Sequence, residues 1–318
     1  MVKLLKMINI KTTIPEGFLK EEERCGFVVK REMKEVWAIE LDLFSEFDRV
    51  CKKYSLPYVA SGGTILGTIR HAGFIPWDDD IDLMMLRADY EKLCKIAPSE
   101  FNHPYFFQTE ENDPGFMRDF ARLRNSLTTG IQMIEYKTRP TYNQGIFIDI
   151  FPMDAVIDDE KKFKKQVRCY DFYHKVYTLS SAIIYNAQNH EVSNMVIMFR
   201  KALHVLLGPV LKLIKMDRYS FRKTQQICQR YNQIETKCVS LLSLDIHNLK
   251  HSNLRTAFNG ITYKNFEFVQ MPIPSDYEEH LKKKYGDYMT FKRIPNFHGD
   301  VIFDTNISYV EFYNNKKK

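Results

Sequence analysis

The stretch SGGTILGTIRHAGFIPWDDDIDLMM, from Ser61 to Met85, constrains the fold more than any other part of the chain. It puts a glycine pair, an arginine and four aspartates into one short segment. Carboxylates this close repel one another and need a cation, a proton or a partner. On a strand the side chains alternate, so Asp80 and Asp82 share one face while Ile81 and Leu83 enter the core. Asp78 has the same parity but lies behind Pro76-Trp77, before the strand. Asp79 points the other way or sits in the turn. Two carboxylates on one face suit a hard divalent cation.

The residues just upstream supply a second element. In LPYVASGG, Pro57 ends a helix, Tyr58 to Ala60 read as a short strand, and the glycines turn the chain. Gly62, Gly63 and Thr64 then open a short helix, whose free backbone N–H groups are of the kind that bind phosphate oxygens. Arg70, one to two turns on, adds a fixed positive charge. A third carboxylate comes from GIFIDIFPMD. Asp149 stands between Ile148 and Ile150, and a buried strand does not carry an acid without a partner. Asp154, past Pro152, is the alternative and is expected in a loop. In FARLRNS, Arg122 and Arg124 share a face if the segment is a strand. They read either as bidentate phosphate clamps or as a solvent-facing sheet surface.

The rest of the chain sets the architecture. Residues 31–54 have helical spacing through Val36, Leu43, Phe47 and Val50. DIDLMML, YFFQT, FARLRNS and GIFIDIFPMD are strand candidates between helical stretches. The expected class is α+β, a mixed sheet with flanking helices and a helical insertion or lobe. The expected domains are an N-terminal extension (1–30), a catalytic core (31–157), a helical lobe (158–250) and a completing segment (251–318). In the last, FNGITYKNFEFVQMP reads as a hairpin with an Asn259-Gly260 turn. PSDYEEHLKKKYG reads as a helix stopping at Gly286.

Composition excludes several classes. The net charge of +6 in 318 residues fits an anionic substrate or membrane surface, but is too weak to argue for nucleic acid. None of the six cysteines forms a C-x-x-C pair, which leaves no zinc signature. Scattered cysteines without a secretion signal point to the cytoplasm. The apolar segment Met195–Met216 is interrupted by Arg200, Lys201 and Gly208-Pro209, so it is not expected to span a membrane. It reads as a core helix of the lobe, or as a basic amphipathic face on the inner membrane surface.

The order Gly-Gly, Asp-x-Asp, apolar-strand Asp is the general pattern of the nucleotidyltransferase superfamily. More specifically, SGGTILGTIRHAGFIPWDDDIDLMMLRADYEKL, GIFIDIFPMD and PIPSDYEEHLKKKYGDY resemble the LicD family, which includes bacterial phosphocholine transferases and is similar to fukutin and fukutin-related protein. The resemblance runs from about Ser61 to about Tyr288. It implies a nucleotidyltransferase-like fold that moves a phospho-substituent, most readily phosphocholine from CDP-choline, to a hydroxyl of a cell-surface glycan or its lipid-linked precursor. Lipopolysaccharide, teichoic acid and capsule are acceptors of this kind. Asp80 and Asp82 are then expected to hold Mg2+ or Mn2+. Asp149 completes that site or accepts the acceptor's proton. Lys292, Arg293 and His298 follow the C-terminal motif and read either as a segment that closes over the donor or as a solvated basic loop. Trp77 is expected to pack and orient the aspartate turn. The competing readings are a glycerol or ribitol phosphate donor, an ordinary transferase acting on a nucleoside triphosphate, and an inactive glycan- or nucleotide-binding member.

Overall fold

The computed structural model describes residues 10–181, 194–249, 252–291 and 300–316. The chain falls into two compact units. One ends at Met153 and resumes at Asn253; the other spans Asp154–Ser252.

The first unit opens with a short antiparallel ribbon, β1 (Glu22–Arg24) and β2 (Phe27–Val29). Helix α1 (Arg31–Lys53) follows and is sunk into the core along most of its length. Its apolar positions Val36, Leu43, Phe47 and Val50 are at most 2% exposed. It also buries acids. Asp42 is satisfied by the backbone N–H groups of Lys11 and Thr12 and by the Tyr105 hydroxyl. Next come β3 (Val59–Ala60), α2 (Gly62–His71), β4 (Asp82–Leu86) and α3 (Arg87–Glu100). They are followed by β5 (Tyr105–Gln108), β6 (Ala121–Asn125), β7 (Thr129–Gln132), α4 (Met133–Thr138) and β8 (Ile146–Val156).

The central sheet of this unit runs β3-β4-β8-β6-β5. Only β4 and β8 are parallel; the other neighbours are antiparallel. Strand β8 is buried on both faces, as a run apolar but for Asp149 and Asp154 requires. It does not end at Pro152, so Asp154 lies in the strand rather than in the expected loop. The reason is directional. The Asp149 N–H points to β4, donating to the Ile81 carbonyl. By alternation, position 152 faces the other side, past the last β6 pair at Ile150 and before the β9 pairing that starts at Asp154. The missing proline N–H costs no ladder bond there.

The second unit contains α5 (Glu160–Ser180), α6 (Asn194–Leu213), α7 (Met216–Cys228), β9 (Cys238–Ser240) and α8 (Leu242–Asp245). Asp159 caps α5 by accepting the Lys162 N–H. Its core gathers Val156, Tyr170, Ile227, Cys228, Leu242 and Ile246. Strand β9 pairs with the last residues of β8, holding Asp154 buried against Asn232. The second half of α6 does not join this core: Leu206, Leu207, Val210 and Leu213 are exposed. Among the described residues no helix is long and apolar enough to cross a membrane.

The chain then returns to the first unit through β10 (Asn253–Leu254), β11 (Ile261–Phe266), β12 (Val269–Pro274), α9 (Tyr277–Tyr285), β13 (Val301–Asp304) and α10 (Tyr309–Asn315). β11 and β12 form the expected hairpin, but its turn is Glu267-Phe268 and not Asn259-Gly260. Glu267 takes a left-handed φ of 53°. The cost is offset by what its side chain holds: both carboxylate oxygens accept from Arg24, and Oε1 also accepts the Phe74 N–H. This ties the hairpin to the loop that leads into the aspartates.

Candidate active site

The sheet register sets the site. Asp82 on β4 lies opposite Asp149 on β8, and Asp149 lies opposite Arg122 on β6. Three ionisable residues thus form one row across adjacent strands. Arg122 supplies the partner that Asp149 needs in an apolar strand. Its Nε donates to Oδ1 at 2.7 Å and its Nη2 to Oδ2 at 3.4 Å. The guanidinium also sits 3.6 Å from the Phe147 ring centroid. Arg122 is therefore neither on a solvent-facing surface nor open to act as a phosphate clamp: it is buried and committed to Asp149. Arg124 departs from both readings too. It is fully buried, donating to Gln108 and to the Gly145 carbonyl. Burial, then Arg122, brings its guanidinium down to about 9.

The glycine pair faces the same acids. Gly62 has a left-handed φ of 55°, and a β-carbon there would lie 3.0 Å from Asp82 Oδ2. At Gly63 a β-carbon would come within 2.5 Å of Asp78 Oδ2. The start of α2 thus meets two carboxylates of the chain itself, a favourable position for negative charge. Thr64 is buried, and its hydroxyl accepts the Asp82 N–H at 2.8 Å. Its side chain fastens α2 to β4.

β4 starts at Asp82, so Asp80 precedes the strand instead of sharing it. The aspartate turn is held by Trp37, whose indole N–H donates to the Asp78 carbonyl at 3.0 Å while its ring stacks on Phe74. That is the role expected of Trp77, which instead meets Phe27 edge-on. Burial, then Asp82 and Asp78, pushes the Asp80 carboxyl well above the usual range.

One acid of this cluster was not legible as such. Glu40 on α1 is 1% exposed, and its Oε2 has no hydrogen-bond partner. Burial, then Asp79, Asp78, Asp149 and Asp82, raises its carboxyl strongly. The signal in the sequence was its position: Glu40 falls on the apolar stripe Val36-Leu43-Phe47, where a charge has no reason to be unless it serves a site. Tyr285, at the end of α9, belongs here as well. Burial, then Asp82, Asp78 and Asp80, holds its phenol well above the normal value.

Arg70 lies at the other end of α2. Its Nη1 donates to the Tyr288 carbonyl at 3.4 Å and its guanidinium covers the Phe291 ring. Its Nε is buried with no partner. His71 beside it is pushed down to about 4 by burial and by Arg70, so it is neutral at pH 7. Lys292, Arg293 and His298 lie outside the described residues.

The donor set around Asp80, Asp82, Asp78 and Glu40 is all oxygen, which suits Mg2+ or Mn2+. Crowded carboxylates that raise one another's pKa are what such a cation neutralises. Among the described residues, however, no three ligating side chains form a ready cage, and Asp149 is engaged by Arg122.

A mixed sheet with a Gly-Gly turn over acids on neighbouring strands is the arrangement expected of a nucleotidyltransferase-type domain. Residues 55–197 match the family described as LicD/FKTN/FKRP, nucleotidyltransferase domain. The chain is 27% identical over 262 residues to the lipopolysaccharide cholinephosphotransferase LicD of Haemophilus influenzae, covering 82% of this chain and 92% of that protein. Shorter matches of 56 residues, 36% and 35% identical, join it to uncharacterized proteins of Rickettsia prowazekii and Rickettsia typhi. They cover 18% of this chain and about a fifth of each of those proteins.

Proposed function

We propose that this protein is a phosphotransferase that moves phosphocholine from CDP-choline to a hydroxyl of a cell-surface glycan, such as lipopolysaccharide, or of its lipid-linked precursor. The observation that carries this reading is the match to a lipopolysaccharide cholinephosphotransferase over 82% of this chain and 92% of that protein. In the reaction, the acceptor oxygen attacks the phosphorus bearing choline, the bond to the CMP oxygen breaks, and CMP leaves with the electron pair. The acceptor proton passes to a carboxylate. Such transfer depends on positioning and on charge stabilisation more than on covalent chemistry.

The roles follow from placement. Asp80 and Asp82 are the proposed ligands of Mg2+ or Mn2+, with Asp78 and Glu40 as neighbouring oxygen donors. The cation, when bound, neutralises the donor diphosphate. Asp149, held in place by Arg122, is the proposed proton acceptor or a further ligand. Gly62 and Gly63 keep the approach to the acids clear of side chains. Arg70 is the proposed cation for the donor phosphates. The nucleotide donor places the reaction in the cytoplasm.

The test is CMP release from a panel of CDP-choline, CDP-glycerol, CDP-ribitol and nucleoside triphosphates, with a lipopolysaccharide acceptor. CMP release with CDP-choline, abolished by EDTA, is expected. Release only with CDP-glycerol or CDP-ribitol would change the donor. Binding of CDP-choline with no turnover would make the protein a binding member of the family.

A further inference from the structure

Among the described residues, the second unit carries an exposed apolar face on α6. On α6 and just past its end, Val205 is 70% exposed, Leu206 71%, Val210 58%, Leu213 83% and Ile214 58%. Leu206, Val210 and Leu213 follow at four- and three-residue spacing, as do Leu207, Val210 and Ile214, so they share a face. Gly208 is buried on the other side. A contiguous patch of this size on a water-soluble chain marks an interaction site.

The charges select its occupant. Between Asn194 and Met216 the charged residues are Arg200, Lys201, Lys212 and Lys215, with no acid among them. Lys212 and Lys215 are exposed, at the same end as Leu213 and Ile214. One turn further, Tyr219 is half exposed and packs against Tyr173. Apolar side chains bordered by lysines and a tyrosine form the pattern of a helix lying in a membrane interface. A second copy of the chain fits less well, because a two-fold contact would bring the same basic set against itself.

We propose that this face docks on an anionic lipid bilayer without crossing it. The apolar side chains enter the boundary between headgroups and acyl chains, and Lys212 and Lys215 meet lipid phosphates. The inference goes beyond the transferase reading and stands without it, since it rests on the surface of the second unit alone.

The experiment is co-sedimentation of the full chain with phosphatidylglycerol–phosphatidylcholine vesicles and with pure phosphatidylcholine vesicles, at low and high salt. Binding to the anionic vesicles that weakens with salt is expected. Leu206→Glu with Leu213→Glu should abolish it and leave the circular dichroism and melting midpoint unchanged, because both side chains are exposed. Lys212→Gln and Lys215→Gln provide a second pair that keeps the apolar face; each should weaken binding about fivefold, equivalent to ~1 kcal/mol per basic residue. Absence of binding to anionic vesicles at low salt would overturn the proposal, as would variants that pellet like the wild type. So would light scattering that shows a dimer lost in the Leu206→Glu, Leu213→Glu variant, which would assign the face to a second copy.

Discussion

Asp82 and Asp149 stand opposite each other on adjacent parallel strands, and Asp149 is paired with Arg122 on the next strand. Arg122 takes Asp149; Asp82 instead faces the glycine turn, beside Asp80 and Asp78. The division assigns two kinds of work. Asp82 belongs to the crowded group proposed to hold a metal. Asp82→Asn and Asp80→Asn should therefore each lower turnover about 100-fold or more, ~2.7 kcal/mol in the barrier, while the protein stays folded. Steady-state CMP release with saturating Mg2+, beside a melting curve, checks this. A variant with near-native turnover would remove its residue from the site.

The Arg122–Asp149 pair should behave as a buried ion pair. Arg122→Met alone leaves a carboxylate stranded in the sheet, and the expected loss is about 3 to 5 kcal/mol. Arg122→Met combined with Asp149→Leu removes both charges and should cost much less, because an apolar pair of similar volume avoids the desolvation penalty. Urea denaturation of the two single variants and the double variant measures the coupling. Additive losses would mean that the pair is not a unit.

Glu40 and Asp80 give the metal-free protein a definite pH response. Both carboxyls have folded pKa values raised above the unfolded ones, 4.5 for a free Glu and 3.8 for a free Asp. A raised carboxyl favours the folded state fully below its unfolded pKa, and that contribution is lost as pH rises through the folded pKa. Above about pH 4.5 the protein in EDTA should thus lose this contribution progressively. Glu40→Gln should flatten the loss, and Mg2+ should do the same for the wild type if the cation binds among these acids. Melting midpoints from pH 4 to 8, with and without Mg2+, separate the three cases. A Glu40→Gln curve parallel to the wild type would remove Glu40 from the cluster.

What the sequence showed and what it hid follow from the range of the interactions involved. The α+β class, the span of α1, the short β3, and the order of turn, aspartates and Asp149 were all legible, because each rests on local spacing. The partner of Asp149 was foreseen as a need but not as Arg122, since pairing across strands depends on register. The same limit applies to Trp37 and Trp77. Pro76-Trp77-Asp78 made Trp77 the obvious support for the turn, whereas the hydrogen bond comes from a helix some forty residues earlier in the chain. The hairpin turn moved from Asn259-Gly260 to Glu267-Phe268 because a salt bridge to Arg24 outweighs the local preference of Asn-Gly. Glu40 broke the apolar pattern of α1 in plain sight; a buried charge in a helix stripe was the available clue.

Gly63 offers the last test, because two explanations of the glycine predict different results. If it only keeps backbone N–H groups open to a donor phosphate, Gly63→Ala should raise the KM for CDP-choline and leave metal dependence unchanged. The structure adds a second demand: a β-carbon there would sit 2.5 Å from Asp78 Oδ2. The carboxylate is the end of a side chain that can swing aside, so the expected cost in stability is small, about 1 kcal/mol or less. Swinging it aside moves an acid out of the cluster, so the Mg2+ concentration for half-maximal turnover should rise several-fold along with the KM. Asp78→Asn should reproduce the change in Mg2+ dependence with little change in KM. Titrating Mg2+ at several CDP-choline concentrations for both variants distinguishes the two roles. An alanine variant with native Mg2+ dependence would mean that Gly63 serves the donor phosphate alone.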